Sequence, residues 1–167
     1  WFFYLTVGEE RRREMFAAVD LHVMNDVIDK GGPFKETIFD WAEQYPAFRT
    51  EIHMWYENWI ELASPAIDHS LSLLRTLRAK GTPVFALSNF GIESFAYAES
   101  KYTFLGEFDR RYISGHMSVI KPDPVIYEMV EQDCGIAPDR LLFADDRTDN
   151  IDQAESRGWK GHLFDGP

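Results

Sequence analysis

Arg140-Leu-Leu-Phe-Ala-Asp-Asp-Arg-Thr-Asp-Asn150 is a short apolar run that ends abruptly in two adjacent carboxylates. Leu141 to Ala144 has the length and bulk of a buried parallel strand, because strands covered on both faces read as continuous apolar runs. Asp145 and Asp146 then fall at its carboxyl end. Open α/β sheets bind ligands outside the carboxyl ends of their strands, where charged side chains line a cleft without entering the core. Neighbouring carboxylates repel each other unless a cation stands by them, and hard oxygen ligands suit Mg2+. An acidic turn capping the next helix, with Asp149 or Asn150 at the N-cap, accounts for the same residues without a metal.

Outward from this stretch, strands and helices alternate. Ala66 to Lys80 has helical spacing with Ile67, Leu71, Leu74 and Leu77 inward, and Lys80-Gly81 matches a helix end. Pro83 to Leu87 is a short apolar strand that stops at Ser88-Asn89-Phe90-Gly91. A helix over about 92–102, a strand around 111–114 and a helix over 125–134 stopping at Gly135 follow. Strand 141–144, a helix over 150–157 and a last strand near 162–164 complete the chain. Such alternation predicts a doubly wound, Rossmann-like parallel sheet.

Residues from about Gly8 to Leu62 carry no strand-like alternation. Phe16, Val19, Val23 and Val27 recur at helical spacing behind the charged run Glu9 to Glu14, and Gly31-Gly32-Pro33 ends that helix. Lys35 to Tyr45 puts Ile38, Trp41, Ala42 and Tyr45 on one face. Phe48, Ile52, Trp55, Tyr56 and Trp59 form a third stripe, which reads first as helix-packing core. Arg11-Arg12-Arg13 reads as a solvated helix face, and His22 and His53 show no partner. The chain therefore divides into a small helical unit, 1–65, and an α/β core, 66–167. Its greasy start, Trp1-Phe-Phe-Tyr-Leu5, is unfavourable at an exposed terminus, so something is expected to precede it.

Composition excludes several classes. Hydrophobic residues make up 45% and aromatics 15% of the 167, too many for disorder. No apolar run is long enough for a membrane span and no signal peptide is visible, so no membrane partner is expected. The single cysteine, Cys134, has no internal partner, so a reducing, cytoplasmic compartment and a buried thiol are expected. A net charge of -11 argues against nucleic acid as a partner, while leaving room for a small phosphorylated ligand at a locally positive site.

Three strand ends offer chemistry. Ser88 and Asn89 supply a hydroxyl and an amide able to donate to an oxyanion. Lys121 precedes Pro122, which holds it out of the helical region, while Asp123 caps the next helix and Pro124 takes its first position. Each piece has an ordinary reading, as a polar turn or a solvated charge; their order raises the functional one.

Leu87-Ser88-Asn89, then Ile120-Lys121-Pro122-Asp123-Pro124, then Phe143-Ala144-Asp145-Asp146 with Asn150-Ile151, resembles the second, third and fourth motifs of the haloacid dehalogenase (HAD) superfamily. The helical region before about residue 65 resembles the small cap this superfamily inserts after its first strand. The paired aspartates resemble the branch of sugar-phosphate phosphatases and the amino-terminal phosphatase domain of soluble epoxide hydrolases. The resemblance implies a Mg2+-dependent phosphatase acting on a small phosphorylated substrate. It implies that Ser88 bonds the transferring phosphoryl group with Asn89 beside it, and that Lys121 balances charge. It further implies that Asp146, with Asp145 adjacent, binds the metal and that Asn150 supports them from behind.

Those residues supply the electrostatic half of phosphoryl transfer. The superfamily's first motif, a central strand ending in Asp-x-Asp that provides the nucleophile, has no match in the chain. The resemblance therefore implies a first strand upstream of Trp1. A 2-haloacid dehalogenase-type hydrolase and a catalytically inactive HAD-fold scaffold are the alternatives. A receiver domain shares an acidic pair, a Ser/Thr and a Lys-Pro, but its acidic pair precedes the lysine and it lacks a cap. The residues do not choose between monomer and homodimer.

Overall fold

Asp20 shapes the beginning of the chain. The charged run does open a helix, α1 (Glu9–Ala18), but Asp20 accepts the Val23 N–H (3.1 Å) and caps a second one, α2 (Leu21–Asp29). The break resets the helical phase. Val19 is buried, yet Phe16, Val23 and Val27, expected on the same inward face, are exposed, and Met15, Leu21, Met24 and Ile28 take their place. The computed structural model describes residues 6–166, so the apolar start Trp1 to Leu5 lies outside the described residues.

Helices α3 (Phe34–Gln44), α4 (Arg49–Glu57) and α5 (Trp59–Leu62) complete the helical region. Its core joins Met15, Met24, Ile38, Ala42 and Ile52. Trp41, Trp55, Tyr56 and Trp59 pack against that cluster half-buried, so the aromatic stripe is mainly helix packing. Of the basic run, Arg11 pairs with Glu51 at 2.5 Å and ties α1 to α4.

The remaining elements are α6 (Asp68–Ala79), β1 (Phe85–Ser88), α7 (Ile92–Lys101), β2 (Arg110–Ile113), α8 (Ser114–Met117), α9 (Pro124–Cys134), β3 (Leu142–Asp145), α10 (Thr148–Ser156) and β4 (Lys160–Leu163). Their sequence signals are local and read cleanly. Asp123 caps α9 by accepting the Val125 N–H (2.9 Å), Pro124 fills the first turn, and Gly135 ends the helix at φ 67°. Ile67 is exposed rather than inward, because it lies just before α6 and not within it. Cys134, expected buried, is half-buried at the end of α9. A second core joins Ile126, Tyr127, Val130, Phe143, Ile151, Ala154 and Trp159, with Tyr127, Phe143 and Trp159 meeting edge to face.

All strand pairing among the described residues is parallel, but it falls into two sheets, β1 with β2 and β3 with β4. The carbonyls of Leu141 and Asp145 accept from Lys160 and Phe164, both at 2.9 Å. By the two-residue period of a strand, Leu142 and Ala144 turn their backbone groups away from β4. Leu142 is 71% exposed, far from the expectation of a strand buried on both faces. Both β1 and β3 thus keep one edge without a strand partner among the described residues.

Candidate active site

Lys121 joins the two sheets. Its ammonium donates to the Leu87 carbonyl of β1 (3.0 Å) and to Asp145 Oδ2 at the end of β3 (2.5 Å), and it lies 5.2 Å from the Phe143 ring centre. The residue sits in a tight turn closed by Asp123 N–H to Ile120 C=O (2.9 Å), with a cis peptide to Pro122. Asn89 fixes this turn. Its Oδ1 accepts the Lys121 N–H (2.8 Å) and its Nδ2 donates to the Lys121 carbonyl (3.0 Å). The side chain expected beside a phosphoryl group is bonded through both its oxygen and its nitrogen to the Lys121 backbone.

Asp145 and Lys121 each keep only 8% of their side chains exposed. Burial works against the Asp145 charge, but the Lys121 ammonium and the Asn150 amide outweigh it and hold the carboxyl below the usual carboxylate range. Asn150 Nδ2 donates to Asp145 Oδ1 (2.9 Å), the Arg147 N–H donates to the same oxygen (2.9 Å), and the Asn150 carbonyl accepts the Tyr127 hydroxyl (2.9 Å). Neither Asp149 nor Asn150 is an N-cap: α10 begins after Arg147, whose guanidinium forks onto Asp149 (2.6 and 3.0 Å). Ser88 closes β1 next to the Leu87 carbonyl, and Asp146 follows Asp145, so the sequence candidates flank the ammonium at the carboxyl ends of β1 and β3.

The residues present fit a hard divalent cation in part. Asp146 is exposed and has no ion-pair partner among the described residues, and Asn150 Oδ1 is buried without a donor. Asp145 is committed to Lys121, and no group of three or more His, Cys, Asp or Glu able to hold a metal occurs among the described residues. Asp146 is thus the side chain here best placed to be a direct ligand.

Sequence reasoning missed Ser114 and Asp29. Ser114 is fully buried; its hydroxyl oxygen accepts the Phe90 N–H (2.8 Å) and its proton goes to the Asp29 carbonyl (2.6 Å). A small polar residue closing the strand 110–113, as Ser88 closes β1, was the available signal. Asp29 sits inside a helical pattern and gave none.

No family model matches the chain. It is 31% identical over 96 residues to the drimenol cyclase drtB of Aspergillus calidoustus, an alignment covering 56% of this chain and 18% of that protein. It is 30% identical over 95 residues to the sesquiterpene phosphatase astK of Aspergillus oryzae, covering 56% and 48%. Among solved structures it resembles a HAD family enzyme of Bacteroides thetaiotaomicron in complex with magnesium and inorganic phosphate, at 30% identity and TM-score 0.53 over 57% of this chain and 51% of that one. An L-2-haloacid dehalogenase of Xanthobacter autotrophicus shares the fold, with TM-score 0.56 at 17% identity over 77% and 51%. The parallel strands and these likenesses agree with the resemblance to the haloacid dehalogenase superfamily drawn from the motifs. The chain spans less than half the length of either curated relative.

Proposed function

We propose that the chain forms the cap and most of the core of a magnesium-dependent phosphatase, with residues 1–65 as the cap, acting on a small phosphate monoester. The observation that carries this reading is the Lys121 ammonium, fixed between the carboxyl ends of β1 and β3 by Leu87 and Asp145. A phosphoryl group approaching that point meets a buried, oriented cation that needs no reorganisation to receive negative charge. Ser88 would donate to a phosphoryl oxygen, and Asn89 would keep the ammonium aimed. Asp146 would hold the magnesium, with Asn150 steadying its neighbour Asp145. The metal, when bound, neutralises charge developing on the phosphoryl oxygens.

The nucleophile is an aspartate on a fifth strand seated between β1 and β3; the unpartnered edge of each strand supports this placement. The two relatives, a drimenol cyclase and a sesquiterpene phosphatase, support an apolar, terpenoid leaving group. The test is hydrolysis of a panel of phosphate monoesters, prenyl phosphates among them, by protein expressed from the complete coding sequence. Turnover should require Mg2+, and Asp146→Asn should lower it by roughly 100-fold or more, since several kcal/mol of charge stabilisation depart with the metal. Turnover indifferent to both chelator and Asp146→Asn sinks the phosphatase reading, and release of halide from 2-chloropropionate without metal would replace it with the dehalogenase one.

A further inference from the structure

Ser114 follows β2 directly and has no exposed surface. Its hydroxyl oxygen accepts the Phe90 N–H (2.8 Å), and its proton goes to the main-chain carbonyl of Asp29 (2.6 Å). Asp29 is the last residue of α2, so this carbonyl is one that a helix end leaves without an intrahelical partner. One small side chain thus ties together the end of α2, the end of β2 and the turn after β1. The three backbones are as close as the bonds imply. A Cβ at Gly31, whose φ is 101°, would lie 2.7 Å from the Gly115 carbonyl oxygen, one at Gly91 would lie 2.5 Å from Ile28 Cγ2, and one at Gly115 would lie 2.8 Å from the Phe90 oxygen. The Gly115 N–H donates to the Phe90 carbonyl (3.0 Å), so Phe90 is bonded to this seam through both its amide and its carbonyl.

Phe90 directly follows Asn89, whose side chain brackets the Lys121 backbone by accepting its N–H (2.8 Å) and donating to its carbonyl (3.0 Å). We propose that Ser114 is a positioning residue of the candidate site: by holding Phe90 against the end of α2, it fixes the turn from which Asn89 orients Lys121. The proposal rests on the reading of Lys121 as the cation that receives the phosphoryl group, but it gives a task to a residue outside the three motifs and couples the site to the helical region. The Phe90 ring repeats that link, meeting Trp59 of α5 at 5.3 Å and Phe95 of α7 at 5.4 Å, both edge to face. Apolar contact of this kind is non-directional and lets a turn slide. A buried N–H left without its acceptor is costly, so the Ser114 bonds hold the turn in one place.

The test compares Ser114→Ala with Ser94→Ala in protein expressed from the complete coding sequence. Ser94 is also buried, but its hydroxyl donates to the Gly91 carbonyl within the first turn of α7 (3.2 Å) and ties nothing across the seam. The decisive measurement is hydrogen exchange at the Lys121 amide, which Asn89 holds. Exchange there should quicken about tenfold or more in Ser114→Ala, the size expected when a buried hydrogen bond is left half-made and the turn opens locally. It should quicken far less in Ser94→Ala, with the buried Ile151 amide of the second core reporting overall stability. Ser114→Cys keeps the shape with a weaker hydrogen-bonding group, so it should shift Lys121 in the same direction and carries the test if Ser114→Ala does not fold. A Lys121 amide that exchanges as in the wild type in the Ser114 variants, or that quickens equally in Ser94→Ala, overturns the proposal. Exchange needs no turnover: a wild type that hydrolyses no phosphate ester removes the phosphatase reading and leaves these rates to decide the role of Ser114. Where turnover is present, kcat should fall about tenfold in Ser114→Ala with KM little changed, because an ammonium out of place is missed most as charge develops in the transition state. A kcat unchanged in Ser114→Ala, or lowered equally in Ser94→Ala, also overturns the proposal.

Discussion

Lys121 and Asp145 form the one contact on which the site most depends. A buried ion pair adds little net stability, but removing one partner strands the other charge where water cannot reach it. Lys121→Met should therefore cost about 3–5 kcal/mol of unfolding free energy, measured by urea denaturation at pH 7. The double variant Lys121→Met with Asp145→Asn should recover a large part of that cost; no recovery would mean that the pair is not coupled as described. Asp146→Asn, at an exposed carboxylate, should change stability by less than about 0.5 kcal/mol, which separates a metal ligand from a structural residue. At this scale the sequence singled out Ser88, Lys121, Asp145, Asp146 and Asn150, and the structure joins Lys121 and Asn150 to Asp145 at the strand end. The bonds that tie Asn89 to Lys121 were not legible, because they span 32 residues and close a turn whose shape depends on the whole fold.

Among the elements, the seam at the end of α2 makes the clearest demand. Gly91 has an ordinary φ of -70°, so Gly91→Ala carries no backbone penalty, and its cost comes only from collision with Ile28. Overpacking of this kind costs roughly 1–3 kcal/mol, and it should also speed proteolysis of the helical region if the seam opens. Gly81→Ala, where a Cβ meets nothing, has a φ of 76° and should lose about 1 kcal/mol through backbone strain alone. Trp59 crosses from α5 to meet the Phe90 ring edge to face at 5.3 Å, next to the turn that carries Asn89. Trp59→Ala should change the ranking of phosphate esters as well as stability, whereas Trp55→Ala should change stability alone. The helix boundaries were readable from capping chemistry at Asp123, Pro124 and Gly135. The inward face of α2 was not, because Asp20 reset a phase that apolar spacing from Phe16 to Val27 had suggested was continuous.

The described residues form two hydrophobic cores, one wholly helical and one gathered around α9, α10 and β3, joined at the α2 seam and by Trp59. Alternation of strands and helices made the parallel α/β class legible, since each element is local. The division of the strands into two pairs was not, because pairing order depends on contacts far apart in sequence. Lys121 bridges the two pairs at the carboxyl ends of β1 and β3. The same end of the molecule should therefore receive the anion, whereas the groove at the amino ends of β1 and β2, lined by Arg75, Arg78 and Arg110, should not, because each of those guanidiniums is already paired with a carboxylate. A crystal structure of the protein grown with Mg2+ and inorganic phosphate decides the matter. The expected result is a phosphate oxygen within hydrogen-bonding distance of Lys121 Nζ and Ser88 Oγ, with the metal on Asp146. Phosphate bound in the arginine-lined groove, with Lys121 still closed onto Asp145 and no metal at Asp146, would contradict it.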